Sequence, residues 1–168
     1  DSWRDAIDDL LALLGRAGAA SRCWLFECEE VDGEIRSTLT HEWVGPGVTR
    51  SRVEAFWTDS VVPPPVVEAS THGRPLQFLR EELPRERAAI ATAEGTLSLV
   101  CVPVLVDGRL VAYLGYDDCE TPRRWSHAEE EALRTAASVI GSSMQRARGL
   151  EMARRRERML VAVAAAAG

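Results

Sequence analysis

From Leu97 to Asp118 the chain reads LSLVCVPVLVDGRLVAYLGYDD, two apolar runs on either side of Asp107-Gly108. Strands with one wet face alternate apolar and polar residues, whereas these runs are apolar at nearly every position, as strands covered on both faces are. Asp-Gly suits a two-residue type I′ turn, since both central residues need positive φ. The same dipeptide, Asp32-Gly33, separates two further predicted strands, Arg22–Glu29 and Glu34–Val44. Ahead of them, Ile7, Leu10, Leu11 and Leu14 recur at helical spacing, which predicts a helix from about Ser2 to Arg16 ended by Gly15 and Gly18.

Residues 51–96 are less regular. VEAFWTDSVVPPPVVEAS combines a short helical patch with three prolines unsuited to a continuous helix or central strand, and LPRERAAIATAEG reads as a helix closed by Glu94-Gly95. After the second hairpin, Ser126 and Glu129 have the spacing of a capping box, with His127 opening the helix. Leu133, Ala137, Ile140, Met144 and Ala147 form an apolar stripe, and Leu150, Ala153, Leu160, Val163 and Ala167 carry a sparser one onward at steps of three, four or seven. The helical pattern covers on the order of 40 residues, against a mean of about 11–12 for globular helices. These elements assemble into an antiparallel α+β sandwich of about six strands. The terminal helices cover one face, and the irregular middle returns over the other to enclose a chamber.

Composition narrows the classes. In 168 residues, 46% are hydrophobic and 27% charged, as in an ordinary globular domain. A net charge of −6 with scattered arginines argues against nucleic acid. No apolar run reaches the roughly 18 residues of a membrane helix and no signal peptide opens the chain, so the expected location is cytoplasmic. Every basic residue of the Lys+Arg set is Arg and Asn is absent, a GC-rich coding bias. The chain opens on Asp1 and stops inside a helical pattern, which suggests a piece of a longer polypeptide.

The order of these motifs resembles the GAF domain. SLVCVPVLVDGRLVAYLGYDD followed by RRWSHAEEEALRTAASVIGSSMQRA is similar to that family's C-terminal half: a V-P-hydrophobic strand, a D-G turn, an L-V-G-x-L-G-like strand and W-S/T-x-x-E opening the last helix. AASRCWLFECEEVDGEIRSTLTHEWVGPGV is similar to its first two strands, especially in bacterial sensor kinases and diguanylate cyclases. Ala112 stands where the family often has Gly. The resemblance implies a GAF domain over residues 1–148 and a helical linker over 149–168 that leads to a downstream output domain. It further implies a non-catalytic sensory module that binds a small molecule, dimerises, or does both. The alternative on this fold is a thiol-dependent free methionine sulfoxide reductase. Ligand signatures do not transfer: the cyclic-nucleotide motif begins Asn-Lys, and the bilin-binding Cys-His pair has no counterpart. No cofactor is assigned.

Candidate chemistry is sparse. Cys23, Cys28, Cys101 and Cys119 lack paired metal spacing and read as buried or half-buried thiols. His41, His72 and His127 are too dispersed for a metal site, and no nucleophile elbow or phosphate loop occurs. Asp117-Asp118 reads as a solvated strand exit. No catalytic residue is assigned. Trp43, Phe56 and Trp57, with Leu79 and Leu97, are the candidate chamber lining, core packing being their other possible role. Leu150, Ala153, Leu160 and Val163 are the candidate seam of a parallel homodimer, the alternative being a helix docked on a downstream domain. ARRRER, between Ala153 and Arg158, reads as a solvated helix face.

Overall fold

The computed structural model describes residues 2–51 and 60–167. Its order is α1 (Ser2–Ala17), β1 (Arg22–Val31), β2 (Glu34–Val44), β3 (Ser60–Val61), α2 (Pro64–Thr71), β4 (Leu76–Leu79), a 3₁₀ turn (Arg80–Glu82), α3 (Arg85–Ala93), β5 (Ser98–Val106), β6 (Arg109–Asp118) and α4 (His127–Ala167). Six strands form one antiparallel sheet in the order β3-β2-β1-β6-β5-β4. Both Asp-Gly turns close their hairpins as the sequence predicts. Val31 pairs with Glu34 and Val106 with Arg109, and all four turn residues have positive φ: 51° at Asp32, 81° at Gly33, 51° at Asp107 and 73° at Gly108.

One sheet face packs against α1 and α4. Leu11, Leu25, Leu114 and Leu133 are fully buried there, and Ile7, Ile140 and Met144 close the layer. At about 25 cal/mol per Å² of apolar surface, each such side chain contributes on the order of 2 kcal/mol. α1 runs through Gly15 instead of ending there. A Cβ at that position would overlap the Trp43 ring, so Gly15 is the flat spot on which Trp43 lies. The helix then ends with Gly18 N–H bonded to the Leu14 carbonyl at 2.8 Å and Ala20 N–H to that of Gly15 at 2.9 Å; Ala19, not a glycine, takes the positive φ of 45°.

The capping box of α4 is present. Ser126 N–H donates to Glu129 Oε2 at 2.7 Å, and Ser126 Oγ accepts from Glu129 N–H at 3.3 Å. The helix has 41 residues, and from Arg148 onward its described side chains are exposed.

The opposite face is covered by the segment between β2 and β5. The prolines expected to break structure instead start α2: Pro63 precedes it, and Pro64 and Pro65 fill its first turn, where the N–H they lack has no helical acceptor. β3 and β4 add to opposite edges of the sheet, so α2, which joins them, is drawn across its middle. With covers on both sides, β5 and β6 lose their alternation.

Candidate functional site

Alternation fixes what β1 and β6 show to the covering segment. From β1, Arg22, Trp24, Phe26 and Cys28 project to this side, while Cys23 and Leu25 enter the helix-side core. From β6, Tyr113, Gly115 and Asp117 share it, while Leu114 and Tyr116 face the helices. The covering segment does not close down on these residues. It leaves a cavity of about 590 Å³, within the range of small-molecule sites.

The walls are mostly apolar. Trp24 and Phe26 meet edge to face, with centroids 5.1 Å apart and planes at 85°. Gly115 makes that position possible, because a Cβ there would overlap both the Trp24 ring and the Val100 carbonyl. Phe78, Leu99 and Cys101 continue the floor, with Val62, Val66 and Pro84 opposite them. Ser70 Oγ donates to the Val66 carbonyl at 2.6 Å, so the Tyr113 hydroxyl is the donor in its 2.8 Å bond to Ser70 Oγ. That bond ties α2 to the sheet. Burial raises the Tyr113 pKa, so it stays a neutral donor.

Polar character gathers at one end, where β1 starts and β6 stops. Arg22 Nη1 donates to Asp117 Oδ2 at 2.9 Å, Nη2 to the Glu94 carbonyl at 2.6 Å, and Nε to the Thr49 carbonyl at 3.0 Å. Thr96 Oγ1 adds a second donor to Asp117 Oδ2 at 2.9 Å. Glu42 lies 4.0 Å from Arg22 and 3.7 Å from Arg50, and accepts from Ser51 N–H at 3.2 Å. Asp117 is held at about 6, above its ordinary 3.8. Burial is the main cause, opposed by the Arg22 charge and the Thr96 bond and reinforced by Glu42.

The solvated strand exit expected at Asp117-Asp118 is therefore absent, since both residues are buried. Asp118 has a separate, structural job. Its Oδ1 accepts the backbone N–H groups of Glu120 and Thr121 at 2.8 Å each, and its Oδ2 accepts from Arg123 Nε at 2.8 Å. Arg123 in turn stacks over Trp125, 3.8 Å from the ring centroid. Gln77 clamps that motif to β4, donating to the Trp125 carbonyl at 3.0 Å and accepting its N–H at 2.9 Å.

The sequence-derived lining is placed differently. Trp43 pairs with Cys23 across the hairpin, so it shares Cys23's face and packs into the helix-side core on Gly15. Leu79 and Leu97 flank the lining residues Phe78 and Leu99 without lining the cavity themselves. Phe56 and Trp57 lie outside the described residues. Trp24, Phe26, Tyr113, Arg22 and Asp117 are the residues sequence reasoning missed. Their signal is the period-two phase of β1 and β6, but Leu25 and Leu114 on the opposite face are just as apolar, which leaves the phase unreadable without the fold.

The four cysteines are free thiols. Burial pushes Cys28 and Cys101 up to about 12 and Cys119 to about 11, and it also raises Cys23, so none carries appreciable thiolate near neutrality. His41 contacts Asp8, His72 the Glu68 carbonyl and His127 Glu130, in three separate places. No group of three metal-ligating side chains occurs among the described residues.

The family model that matches is the GAF domain, over residues 2–144. The methanogenesis regulatory histidine kinase FilI of Methanothrix harundinacea is 35% identical over 148 residues, which are 84% of this chain and 16% of that protein. This chain thus spans about a sixth of the curated relative's length. Among solved structures, the blue-light absorbing form of the Thermosynechococcus elongatus PixJ GAF domain aligns over 92% of both chains with a TM-score of 0.73 at 20% identity. A domain of a putative two-component sensor histidine kinase from Sinorhizobium meliloti 1021 aligns over 90% of this chain and 96% of its own, with a TM-score of 0.69 at 22% identity. A sheet with paired terminal helices on one face and a roofed chamber on the other, matched by the family model over 2–144, places this chain in the GAF-domain family.

Proposed function

We propose that this chain is the non-catalytic sensory module of a larger signalling protein, binding a small molecule in the chamber and passing its occupancy along α4. The observation that carries this reading is the chamber, about 590 Å³ with polar groups gathered at one end. A ligand there touches α2, β1 and β6 together, and so favours one arrangement of the roof over others. The raised thiol pKa values argue against the reductase alternative, which needs a thiolate nucleophile.

The relation to FilI favours a histidine kinase output in the same chain, with residues 1–148 as the sensing domain and 149–168 as the connection. Beyond the domain, Leu150 and Leu160 are each 62% exposed and Val163 65%. With Ala153 they form the stripe of a parallel two-helix seam, a short and marginal one because Arg156 and Glu157 interrupt it. No described helix is long and apolar enough to cross a membrane. The location assigned to this module is the cytoplasm.

A thermal-shift screen of metabolites tests the sensory reading. A ligand at 100 times its Kd stabilises the native state by about 2.7 kcal/mol. A screen in which no compound raises the Tm, or one in which free methionine sulfoxide is turned over in a Cys101→Ser-sensitive manner, would overturn it.

A further inference from the structure

The cavity's polar end holds an unbalanced set of charges. Three buried ionisable side chains meet there: Arg22, with 3% of its side chain exposed, Glu42 with 4% and Asp117 with 8%. One guanidinium faces two carboxylates. Arg50, the other cation near Glu42, is 70% exposed, and water screens it. The donors are unevenly spent as well. Asp117 Oδ2 takes both Arg22 and Thr96, while Asp117 Oδ1 is buried with no hydrogen-bond partner. A carboxylate oxygen left in this state is a strong acceptor in a low-dielectric site. The guanidinium, in contrast, already has an acceptor on each nitrogen, Thr49, Asp117 and Glu94, which leaves at most one N–H, on Nη2, to offer.

We propose that the chamber's ligand is a largely apolar, planar molecule with a cationic nitrogen head, an amidine or a protonated amino-heteroaromatic, whose N–H groups are received by Asp117. The inference rests on the sensory reading of the chamber and names the class of molecule it takes. The apolar body lies along Trp24 and Phe26, and the head points to the start of β1. An anionic head would meet two carboxylates against one guanidinium whose Nε, Nη1 and Nη2 already donate to Thr49, Asp117 and Glu94. Other charged groups on this side are Glu94, buried at the end of α3, and Arg87 and Glu82, which line the cavity. Arg87 donates to the Val61 carbonyl, and Glu82 pairs with Arg124. The neighbouring thiols Cys23 and Cys119 are neutral, their pKa values raised mainly by burial.

Three probes of one shape and different heads decide the matter: 2-naphthamidine, 2-naphthamide and 2-naphthoate, titrated into the purified chain by calorimetry. A charge-assisted hydrogen bond is worth about 1.5–3 kcal/mol, so the amidine should bind tighter than the amide by a factor of about 10–100. Asp117→Asn should remove that preference and leave the amide's affinity in place. If that variant does not fold, Glu42→Gln, which removes the excess negative charge, should reduce the preference. In the wild type, the preference should fade as pH drops below about 6, where Asp117 takes up its proton. Equal binding of amidine and amide would mean that water or nothing satisfies Oδ1. Tightest binding by the naphthoate would make Arg22 the reader. Either result overturns the assignment of the head and leaves the chamber reading intact; no binding by any of the three overturns both.

Discussion

Two close approaches at single residues decide where the aromatic rings go. Gly15 admits Trp43 against α1, and Gly115 admits Trp24 against β6. In an open helix, Gly→Ala adds about 1 kcal/mol of stability. Here Gly15→Ala should do the reverse, lowering stability by about 1–3 kcal/mol because the ring has to leave its seat. Chemical denaturation checks the sign, and a stabilised variant would mean the ring has room to move. Asp117 makes a second residue-scale prediction. Its pKa is about 6 in the fold against an ordinary 3.8, so the native state holds the proton more tightly than the unfolded chain. Its contribution to stability is then full below about pH 4 and lost as pH rises through about 6. The difference in unfolding free energy between wild type and Asp117→Asn should change across that window and stay level above it. A flat difference from pH 4 to 7 would mean that burial and Arg22 cancel.

At the scale of elements, α4 does two jobs along one length. Its first five turns belong to the domain, with Leu133 and Ile140 buried and Gly141 close to the Leu105 carbonyl. The cap that starts it is local, and Ser126→Ala should lower domain stability by about 1 kcal/mol. That loss should appear in denaturant midpoint, with little change in slope. Beyond Ala147 the described apolar side chains are exposed, Leu150 and Leu160 at 62% and Val163 at 65%. Sedimentation at tens of micromolar, an order-of-magnitude choice for a weak coiled segment, should show a dimer. Leu150→Glu with Leu160→Glu should yield a monomer of unchanged fold. A dimer indifferent to that pair would place the contact elsewhere, and a wild-type monomer would favour docking on a downstream domain.

For the whole molecule, the sheet separates two kinds of packing. The helix side is filled, while the roofed side retains space between Trp24, Phe26 and the helices above. Ser37 lines that space, and among the described residues its hydroxyl bonds only the Ser60 carbonyl, at a long 3.4 Å. Ser37→Leu should therefore lower 2-naphthamide affinity by about tenfold or more while leaving the Tm equal or higher, since added apolar volume enters a void and not a packed core. Unchanged affinity in that variant would mean the probe binds outside the chamber.

Local chemistry alone was enough for much of this. The Asp-Gly turns require positive φ wherever they fall, so both hairpins were legible at the residue, as was the Ser126/Glu129 cap. Two-sided apolarity in β5 and β6 forced covers on both faces of the sheet, and the spacing in α1 and α4 showed which helices could supply one. The candidate site was not legible in the same way. In β1 both faces are apolar near Trp24, so its phase is unreadable; in β2 period two from Leu39 puts Trp43 on the chamber face, and the extra residue Thr40, where the register shifts, turns it to the helix side. Only pairing settled it: Cys23 opposite Trp43, and Trp24 over Gly115. Arg22 and Asp117 are 95 residues apart in sequence, and no local pattern couples them. They meet because the first and last strands are neighbours at the centre of the sheet, and long-range strand order is a property of the fold, not of any stretch of chain.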